Sequence, residues 1–230
     1  MEKLQNIRIA VDAIVFGYKN NDLYVLLIEQ KFGSSDKYWA LPGGLVQNDE
    51  SLSDAVIREL HEETNVQLTF MEQLYTFGDD IYRDSRNRVI SVAYYALVDA
   101  SNLEIKADTD AERVQWFKID EIPSLAFDHN LILKKGIERL KAKLTYEPIG
   151  FDLLPEEFLF SDLENLYCTI LEKEIDRRNF RKKILSYGFL EETDNFSPIR
   201  SGRPAKLFKF NKLKYNELID KGFHFEIKFA

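Results

Sequence analysis

The first 145 residues are dominated by apolar runs with the period of strands, interrupted by two stretches with the period of helices. Helical spacing of apolar positions occurs at residues 51–64 and 129–143. Five segments alternate as strands do, namely residues 8–18, 23–29, 67–77, 89–98 and 113–117. A mostly β pattern with two helices predicts an α+β sandwich over residues 1–145.

The pattern changes after residue 145. Residues 146–151 contain a proline and a glycine and are predicted to form a linker. A capping box between Ser161 and Glu164 then marks the start of a helix. The predicted elements are helices over 162–172 and 176–186, followed by strands over 189–191 and 206–211. This order predicts a winged helix-turn-helix domain over residues 151–230.

Composition places the chain among soluble globular proteins of a reducing compartment. Its residues are 45% hydrophobic and 13% aromatic, and no apolar run is long enough to span a bilayer. The single cysteine, Cys168, excludes an internal disulfide framework. No targeting signal is recognised at the N-terminus. We therefore expect a cytoplasmic protein without a membrane partner.

Charge is divided unevenly along the chain. The net charge is −8, and residues 1–150 hold 17 basic against 25 acidic side chains. Residues 177–214 contain 11 basic and 3 acidic residues, a local charge of +8. An isolated basic run is usually a solvated surface, but this one coincides with the predicted second helix and hairpin. The coincidence predicts contact with DNA.

The second helix of this region has the pattern of a recognition helix. Phe180 and Ile184 are four residues apart and predict the buried face, while Arg178 and Lys182 lie opposite them. Arginine, lysine and asparagine can reach phosphates and base edges. The residues predicted to contact DNA are Arg177, Arg178, Asn179, Arg181 and Lys182 of the helix and Arg200, Arg203 and Lys206 of the wing. Arg203 is the candidate for a narrow minor groove.

A second cluster of charged residues lies on the helix predicted over residues 51–64. Glu59, Glu62 and Glu63 are three and four positions apart, so their carboxylates are expected on one helix face. Close carboxylates repel one another unless a cation lies between them, and oxygen ligands favour Mg²⁺ or Mn²⁺. Such an ion can bridge pyrophosphate oxygens and activate water. The plain alternative is an acidic, solvated helix face.

The spacing around these carboxylates resembles the Nudix box. The match runs from Gly44 through five residues to Glu50, then through seven residues to the sequence RELHEETNV, which begins at Arg58. The resemblance implies a Nudix-type α/β/α sandwich, with Glu59, Glu62 and Glu63 as metal ligands and catalytic groups. It also implies that Arg58 and Glu50 hold the helix and the preceding loop. Asn65 replaces the glycine of the pattern, at a position expected to be a left-handed helix terminus. That substitution places efficient hydrolysis in question.

Further stretches resemble Nudix proteins that handle ADP-ribose or related ligands. They are YRDSR at residues 82–86, Glu112 before a Trp-Phe pair, and LAFDH at residues 125–129. Arg83, Arg86 and Arg88 can receive phosphate or sugar hydroxyls, because a guanidinium offers several fixed donors. The predicted ligand-binding set is Arg83, Arg86, Glu112 and His129. The alternatives are surface arginines and, for His129, a satisfied residue at a helix N-terminus.

Taken together, the stretches resemble the Nudix-related transcriptional regulators over nearly the full chain. The C-terminal matches are residues 160–171, 175–185 and 202–210. The resemblance implies a homodimer that binds operator DNA and senses a small molecule, either an ADP-ribose-like nucleotide sugar or a pentose such as arabinose. One alternative is a Mg²⁺-dependent pyrophosphatase acting on ADP-ribose or a related nucleoside diphosphate derivative. Another is a scaffold that binds a protein partner.

Overall fold

The computed structural model describes residues 6–32, 36–66, 68, 70–99, 113–197 and 204–227. The chain folds as two compact units. The first contains residues 1–17 and 23–139, and the second contains residues 18–22 and 140–230. None of the helices in the described part of the chain is long and apolar enough to cross a membrane.

The first unit is built on a sheet of seven strands, whose order in the sheet differs from their order in the sequence. They are β1 (Arg8–Lys19), β2 (Asp22–Phe32), β3 (Asp36–Ala40), β4 (Gly43–Leu45), β5 (Phe70–Phe77), β6 (Val89–Asp99) and β7 (Arg113–Lys118). The main path runs β3-β2-β1-β6-β5, with β4 paired to β1 and β7 paired to β2. All five predicted strands are present. The short strands β3 and β4 were not predicted from the sequence.

Strand β1 explains why this unit is a sandwich, because helices cover both of its faces. Its odd-numbered residues join one apolar cluster with helix α1 (Leu52–Thr64), through Val11, Ala13, Val15, Ala55, Val56 and Leu60. On the other face, Ile14 and Phe16 lie against helix α2 (His129–Lys143). At Gly136 of α2, an added Cβ would lie 2.3 Å from Cδ1 of Ile14, so a larger residue would require the Ile14 side chain to shift. The α+β sandwich of the Nudix type is confirmed.

Helix α1 has defined caps at both ends. The Ser51 hydroxyl accepts a hydrogen bond from the Asp54 backbone N–H at 3.1 Å. At the other end, Asn65 adopts the left-handed conformation with φ +54° and ψ +24°, and its N–H donates to the His61 carbonyl. The prediction of a left-handed terminus at Asn65 is confirmed. The backbone that the usual glycine provides is therefore preserved.

The substitution Asn65→Gly is expected to raise the free energy of unfolding by up to about 1 kcal/mol, because glycine reaches a left-handed conformation without a Cβ penalty. Asn65→Ala is the matched control and is expected to lower the free energy by about 1 kcal/mol. Urea unfolding followed by tryptophan fluorescence measures both effects. Equal stability of the glycine and alanine variants would contradict this explanation.

The second unit begins earlier than the sequence predicts. The segment predicted as a linker instead contains a 3-10 helix, Ile149–Leu153, in which Ile149, Gly150 and Phe151 are buried. The aromatic ring of Phe151 stacks on that of Phe210 at a centroid distance of 4.4 Å. A Pro-Gly segment is usually a solvent-exposed connection, but here its apolar side chains supply part of the core.

The remaining elements have the order of a winged helix. They are α3 (Phe160–Leu171), α4 (Arg177–Tyr187), β8 (Leu190–Phe196), β9 (Lys206–Phe210) and α5 (Lys212–Asp220), with β8 and β9 paired antiparallel. The winged helix-turn-helix prediction is confirmed, although α5 was not predicted. Helix α3 begins two residues before the predicted start, because the Asp162 carboxylate accepts from the Leu159 backbone N–H at 3.0 Å. Ser161 therefore lies inside the helix rather than at its cap.

Candidate functional site

Arg58 ties helix α1 to the loop before it. Its Nε and Nη2 donate to the two carboxylate oxygens of Glu50 at 2.9 and 2.7 Å, and Nη2 also donates to the Leu45 carbonyl at 3.2 Å. Hydrogen bonding from Arg58 lowers the pKa of Glu50 to about 2. The role implied for Arg58 and Glu50 by the Nudix resemblance thus has a direct geometric basis.

The three carboxylates of helix α1, those of Glu59, Glu62 and Glu63, do not all have the same hydrogen-bond partners. Arg58 Nη1 donates to Glu59 at 2.8 Å and to Glu62 at 3.3 Å. Glu63 is buried, and its two oxygens accept from the Gly43 backbone N–H at 2.9 Å and from Gln30 Nε2 at 2.5 Å. Burial, reinforced by the nearby charge of Glu59, raises the pKa of Glu63 to about 8.

In this structure Arg58 contacts two of the three carboxylates, and the third has other partners. Within the described ranges, no group of three His, Cys, Asp or Glu residues is arranged to hold one. Arg58 Nη1 holds an oxygen of both Glu59 and Glu62, whereas Glu63 accepts from the Gly43 backbone N–H. The assignment of these three residues as metal ligands stays a prediction. The Glu59 carboxylate packs so closely on Gly44 that an added Cβ there would lie 2.3 Å from Oε1.

The pKa of Glu63 gives an expected pH dependence of stability. In the unfolded chain this group ionises near its ordinary pKa of 4.5, whereas the folded chain keeps it protonated up to about pH 8. The folded state therefore binds the extra proton between these values, and the free energy of unfolding is expected to fall as pH rises. One proton changes it by at most about 1.4 kcal/mol per pH unit.

Glu63→Gln is expected to remove this slope, because the amide does not titrate. The measurement is urea unfolding of both proteins in chelator between about pH 5 and pH 8.5, compared as the difference between the two curves so that other groups cancel. The wild-type protein should lose stability relative to the variant as pH rises. Parallel curves would show that Glu63 ionises normally.

A pocket of about 420 Å³ lies beside Gly43 and Gly44 at the start of β4. Its walls carry both charged and aromatic groups, among them Arg8, Asp12, Arg83, Arg86, Phe127 and His129. The stretch that contains Phe127 and His129 is placed by a bridge from Trp39 of β3 to Leu125, with the Ala126 N–H donating to the Trp39 carbonyl at 2.8 Å. This brings residues distant in sequence to one site.

A buried ionic network forms the floor of the pocket. Arg83 is only 8% exposed, and its Nη2 and Nε donate to the Asp128 carboxylate at 2.6 and 2.9 Å. The same Nη2 lies 3.5 Å from the Asp12 carboxylate, which also accepts from the Ser91 hydroxyl. Arg83 therefore neutralises the buried carboxylate of Asp12 in β1 and the partly buried carboxylate of Asp128, the residue before α2.

His129 is a neutral, satisfied part of the same network. Its Nδ1 accepts from the Leu41 backbone N–H at 2.9 Å, which places the proton on Nε2. Nε2 lies 3.4 Å from Asp12 Oδ1. Burial lowers the pKa of His129, although the Asp12 charge opposes that effect. The alternative weighed from the sequence, a histidine satisfied at a helix N-terminus, describes its contacts well.

The structure brings three of the four predicted ligand-binding residues to one pocket: Arg83, Arg86 and His129. The fourth, Glu112, lies outside the described residues. Asp12 and Phe127 also line the pocket and were not assigned to a site from the sequence. Asp12 could have been recognised from the sequence as a candidate site residue, because its carboxylate interrupts an otherwise apolar strand.

Helix α4 presents the expected two faces. Phe180 and Ile184 are buried, and Arg178 and Lys182 are exposed. In the described part of the chain neither of these two cations is held by an ion pair or hydrogen bond. They are the clearest candidates for DNA contact.

The other predicted DNA-binding residues have partners within the second unit. Arg177 donates to Glu164 and Asn165 of α3, and the Asn179 amide donates to Asp176. The Arg181 guanidinium lies over the ring of Phe160 at 4.4 Å, and Lys206 pairs with Glu192 across the hairpin at 3.2 Å. Arg200 and Arg203 lie outside the described residues. The four partnered residues are all exposed, so their present contacts leave them accessible.

Comparison with known proteins agrees with this division. The NUDIX domain model matches residues 6–140, and the model of the NrtR DNA-binding winged helix domain matches residues 150–210. The chain is 31% identical over 210 residues to the ADPR responsive transcriptional repressor NtrR of Acinetobacter baylyi. That alignment covers 90% of this chain and 83% of the relative.

The solved structures similar to the chain include two that bear on this division. One is the crystal structure of Shewanella oneidensis NrtR complexed with a 27mer DNA, with a TM-score of 0.77 and 29% identity over 96% of this chain and 99% of that one. The other is the cocrystal structure of the NUDIX domain of the same protein complexed with ADP ribose, with a TM-score of 0.54 and 32% identity. It covers 60% of this chain and 90% of that one.

A Nudix unit with a pocket lined by charged side chains, joined in one chain to a winged helix with a basic face, defines a class of protein that combines a small-molecule site with a DNA-binding domain. The chain belongs to the family of Nudix-related transcriptional regulators.

Proposed function

We propose that the chain is an ADP-ribose-responsive transcriptional repressor of the cytoplasm, acting on operator DNA as a homodimer. The observation that carries the proposal is that a ligand-sized pocket and an exposed basic helix face occur in the same chain. The Acinetobacter relative is described as an ADPR responsive repressor, and the alignment with it includes both domains.

The pocket chemistry favours a nucleotide sugar over a free pentose. Ligand sites of a few hundred Å³ bury most of a small molecule, and this one measures about 420 Å³. Arg8 lines the pocket and can attract the negative charge of a diphosphate, which a pentose lacks. The buried carboxylate of Asp12 lies at the pocket wall, where sugar hydroxyls can donate to it.

In a homodimer, the ligand would act by changing the relative placement of the two winged helices. Two winged helices read half-sites that are spaced by the turn of the DNA helix, so their relative placement must match that spacing. A ligand that favours a different placement lowers the affinity for DNA by the difference in its own affinity for the two arrangements. ADP-ribose is then expected to release the repressor.

The test has two independent parts. Fluorescence anisotropy with labelled DNA from upstream of the gene should give specific binding that weakens steeply with salt, because cationic side chains displace counterions. A thermal-shift screen should show a raised melting temperature with ADP-ribose and little change with arabinose. Absence of salt-sensitive binding would contradict the regulator. A shift with arabinose alone would reassign the ligand.

A second candidate function is hydrolysis of ADP-ribose or a related nucleoside diphosphate derivative. It is favoured by the presence of Glu59, Glu62 and Glu63, each of which the chain retains. The test is incubation with ADP-ribose and Mg²⁺ or Mn²⁺, with Glu62→Gln as the matched variant. Glu62 is 48% exposed, so its replacement is not expected to disturb folding. Turnover abolished in this variant would establish the activity, and a flat baseline would leave ligand binding alone.

A further inference from the structure

Phe127 has an unusual backbone conformation for its side chain. Its φ is +53°, in the left-handed region, which bulky residues rarely adopt. The residue lies in the turn that leads into α2 and lines the pocket, with 37% of its surface exposed. An unfavourable conformation that exposes an aromatic ring inside a ligand pocket points to a functional reason for the ring.

The ring is covered by a guanidinium whose plane is fixed. The Cζ atom of Arg86 lies 4.9 Å from the centroid of Phe127. Asp84 holds the guanidinium through two bonds, from Nε to Oδ1 at 3.0 Å and from Nη2 to Oδ2 at 2.7 Å. Asp84 Oδ1 also accepts from the Arg86 backbone N–H at 2.9 Å. This fork leaves the guanidinium little freedom to rotate.

Arg86 and Phe127 lie between the buried His129 and the open part of the pocket. Behind Phe127, the ring of the buried His129 lies at a centroid distance of 5.4 Å. In front, the Arg86 side chain is 55% exposed and lines the same pocket. The rings of His129 and Phe127 are tilted by 51°, and Arg86 is the member of this series with the largest exposure to the ligand space.

We propose that Arg86 and Phe127 form a stacking platform for the aromatic base of a nucleotide ligand. The proposal rests on the proposed function, since it assigns a subsite within the pocket that binds ADP-ribose. Bases stack on aromatic rings and on arginine planes with useful affinity regardless of their hydrogen-bonding edges. A free pentose has no base, so the platform selects nucleotide sugars.

Two other roles would leave the same residues in place. Arg86 can act only as a charge that receives a phosphate, or Phe127 can serve only to form the turn before α2. A ligand with the sugar phosphate but without the base separates these roles. Ribose 5-phosphate is such a ligand, and it should not depend on the platform.

The experiment is calorimetric titration of ADP-ribose and ribose 5-phosphate into the full chain and three variants. Phe127→Leu removes the ring, and Arg86→Lys keeps the charge but removes the plane. Arg88→Lys is the matched control, because Arg88 donates to the Gly78 carbonyl at 2.7 Å and is not part of the pocket wall. Phe127→Leu and Arg86→Lys should each lower the affinity for ADP-ribose about tenfold and the affinity for ribose 5-phosphate by less than about twofold. The control should change neither.

A spectroscopic measurement tests stacking directly. The fluorescence of etheno-ADP-ribose should be quenched on binding to the wild-type protein and quenched less at saturation with Phe127→Leu. Phe127→Gly adds a stability signature, since glycine relieves the left-handed backbone: its melting temperature should be equal or higher while its ADP-ribose affinity falls.

Equal losses for both ligands, or unchanged ADP-ribose affinity with unchanged quenching, would overturn the platform while the proposed function stands. A wild-type protein that binds no ADP-ribose would contradict both.

Discussion

Replacing Arg178 and Lys182 together with glutamine is expected to weaken binding to operator DNA by about 2 to 4 kcal/mol, or roughly 30- to 1,000-fold. The reason is that both cations lie on the exposed face of α4, opposite Phe180 and Ile184. Each DNA phosphate that is no longer neutralised should also reduce the slope of log affinity against log salt by about 0.9. Fluorescence anisotropy at several salt concentrations gives both quantities.

The matched control removes the same charge from another helix. Lys134 and Lys135 are exposed on α2, and replacing both with glutamine is expected to leave the affinity and the salt slope nearly unchanged. If the α2 variant weakens DNA binding as much as the α4 variant, net charge rather than the α4 face governs binding. If neither has an effect, the scaffold alternative gains support.

The second large effect is expected from Arg83→Met. This change removes the cation that neutralises Asp12 and Asp128, leaving two carboxylates without their partner in a buried site. Breaking a buried ionic network by removing one partner typically costs about 3 to 5 kcal/mol. The side chain is only 4% exposed, so solvent cannot replace it readily. The first unit should therefore unfold at much lower urea concentration.

Tryptophan fluorescence reports on that unit selectively, because both tryptophans of the chain, Trp39 and Trp116, belong to it. Arg139→Met is the control. Arg139 pairs with Glu72 at 3.4 Å, both side chains are about one third exposed, and its removal should lower the free energy of unfolding by less than about 1 kcal/mol. A similar decrease in both variants would show that burial of the Arg83 network contributes little.

Local patterns predicted the parts of the site that depend on near neighbours in sequence. The left-handed end of α1 at Asn65 and the pairing of Arg58 with Glu50 follow from spacings of a few residues within one motif. The two faces of α4 follow from helical periodicity. In each case the physical cause is contained in one helix and its adjoining loop.

The arrangement of the pocket depends on contacts that no local pattern contains. Arg83 and Asp128 are separated by 45 residues, and Leu41 and His129 by 88. The sequence suggested that Arg83 and His129 contact ligand. Only the fold reveals that these groups are held by Asp12, Asp128 and the Leu41 backbone.

In the basic region, residues 177–214, the sequence likewise does not show which side chains are neighbours in space. The residues predicted to contact DNA included Arg177 and Lys206, yet Arg177 pairs with Glu164 and Lys206 with Glu192. Charge counts do not reveal which cations have acidic neighbours in space. The buried 3-10 helix at Ile149–Leu153 escaped prediction because a Pro-Gly segment is typical of a linker, while its burial depends on distant partners such as Phe210.

The most direct test of coupling between pocket and DNA is titration of ADP-ribose into a preformed complex of the full chain with labelled operator DNA, followed by anisotropy. We expect anisotropy to fall to the value of free DNA as ADP-ribose saturates the pocket. An equal concentration of arabinose should have no such effect. Unchanged anisotropy, with calorimetry showing that ADP-ribose is bound under the same conditions, would contradict a ligand-responsive repressor.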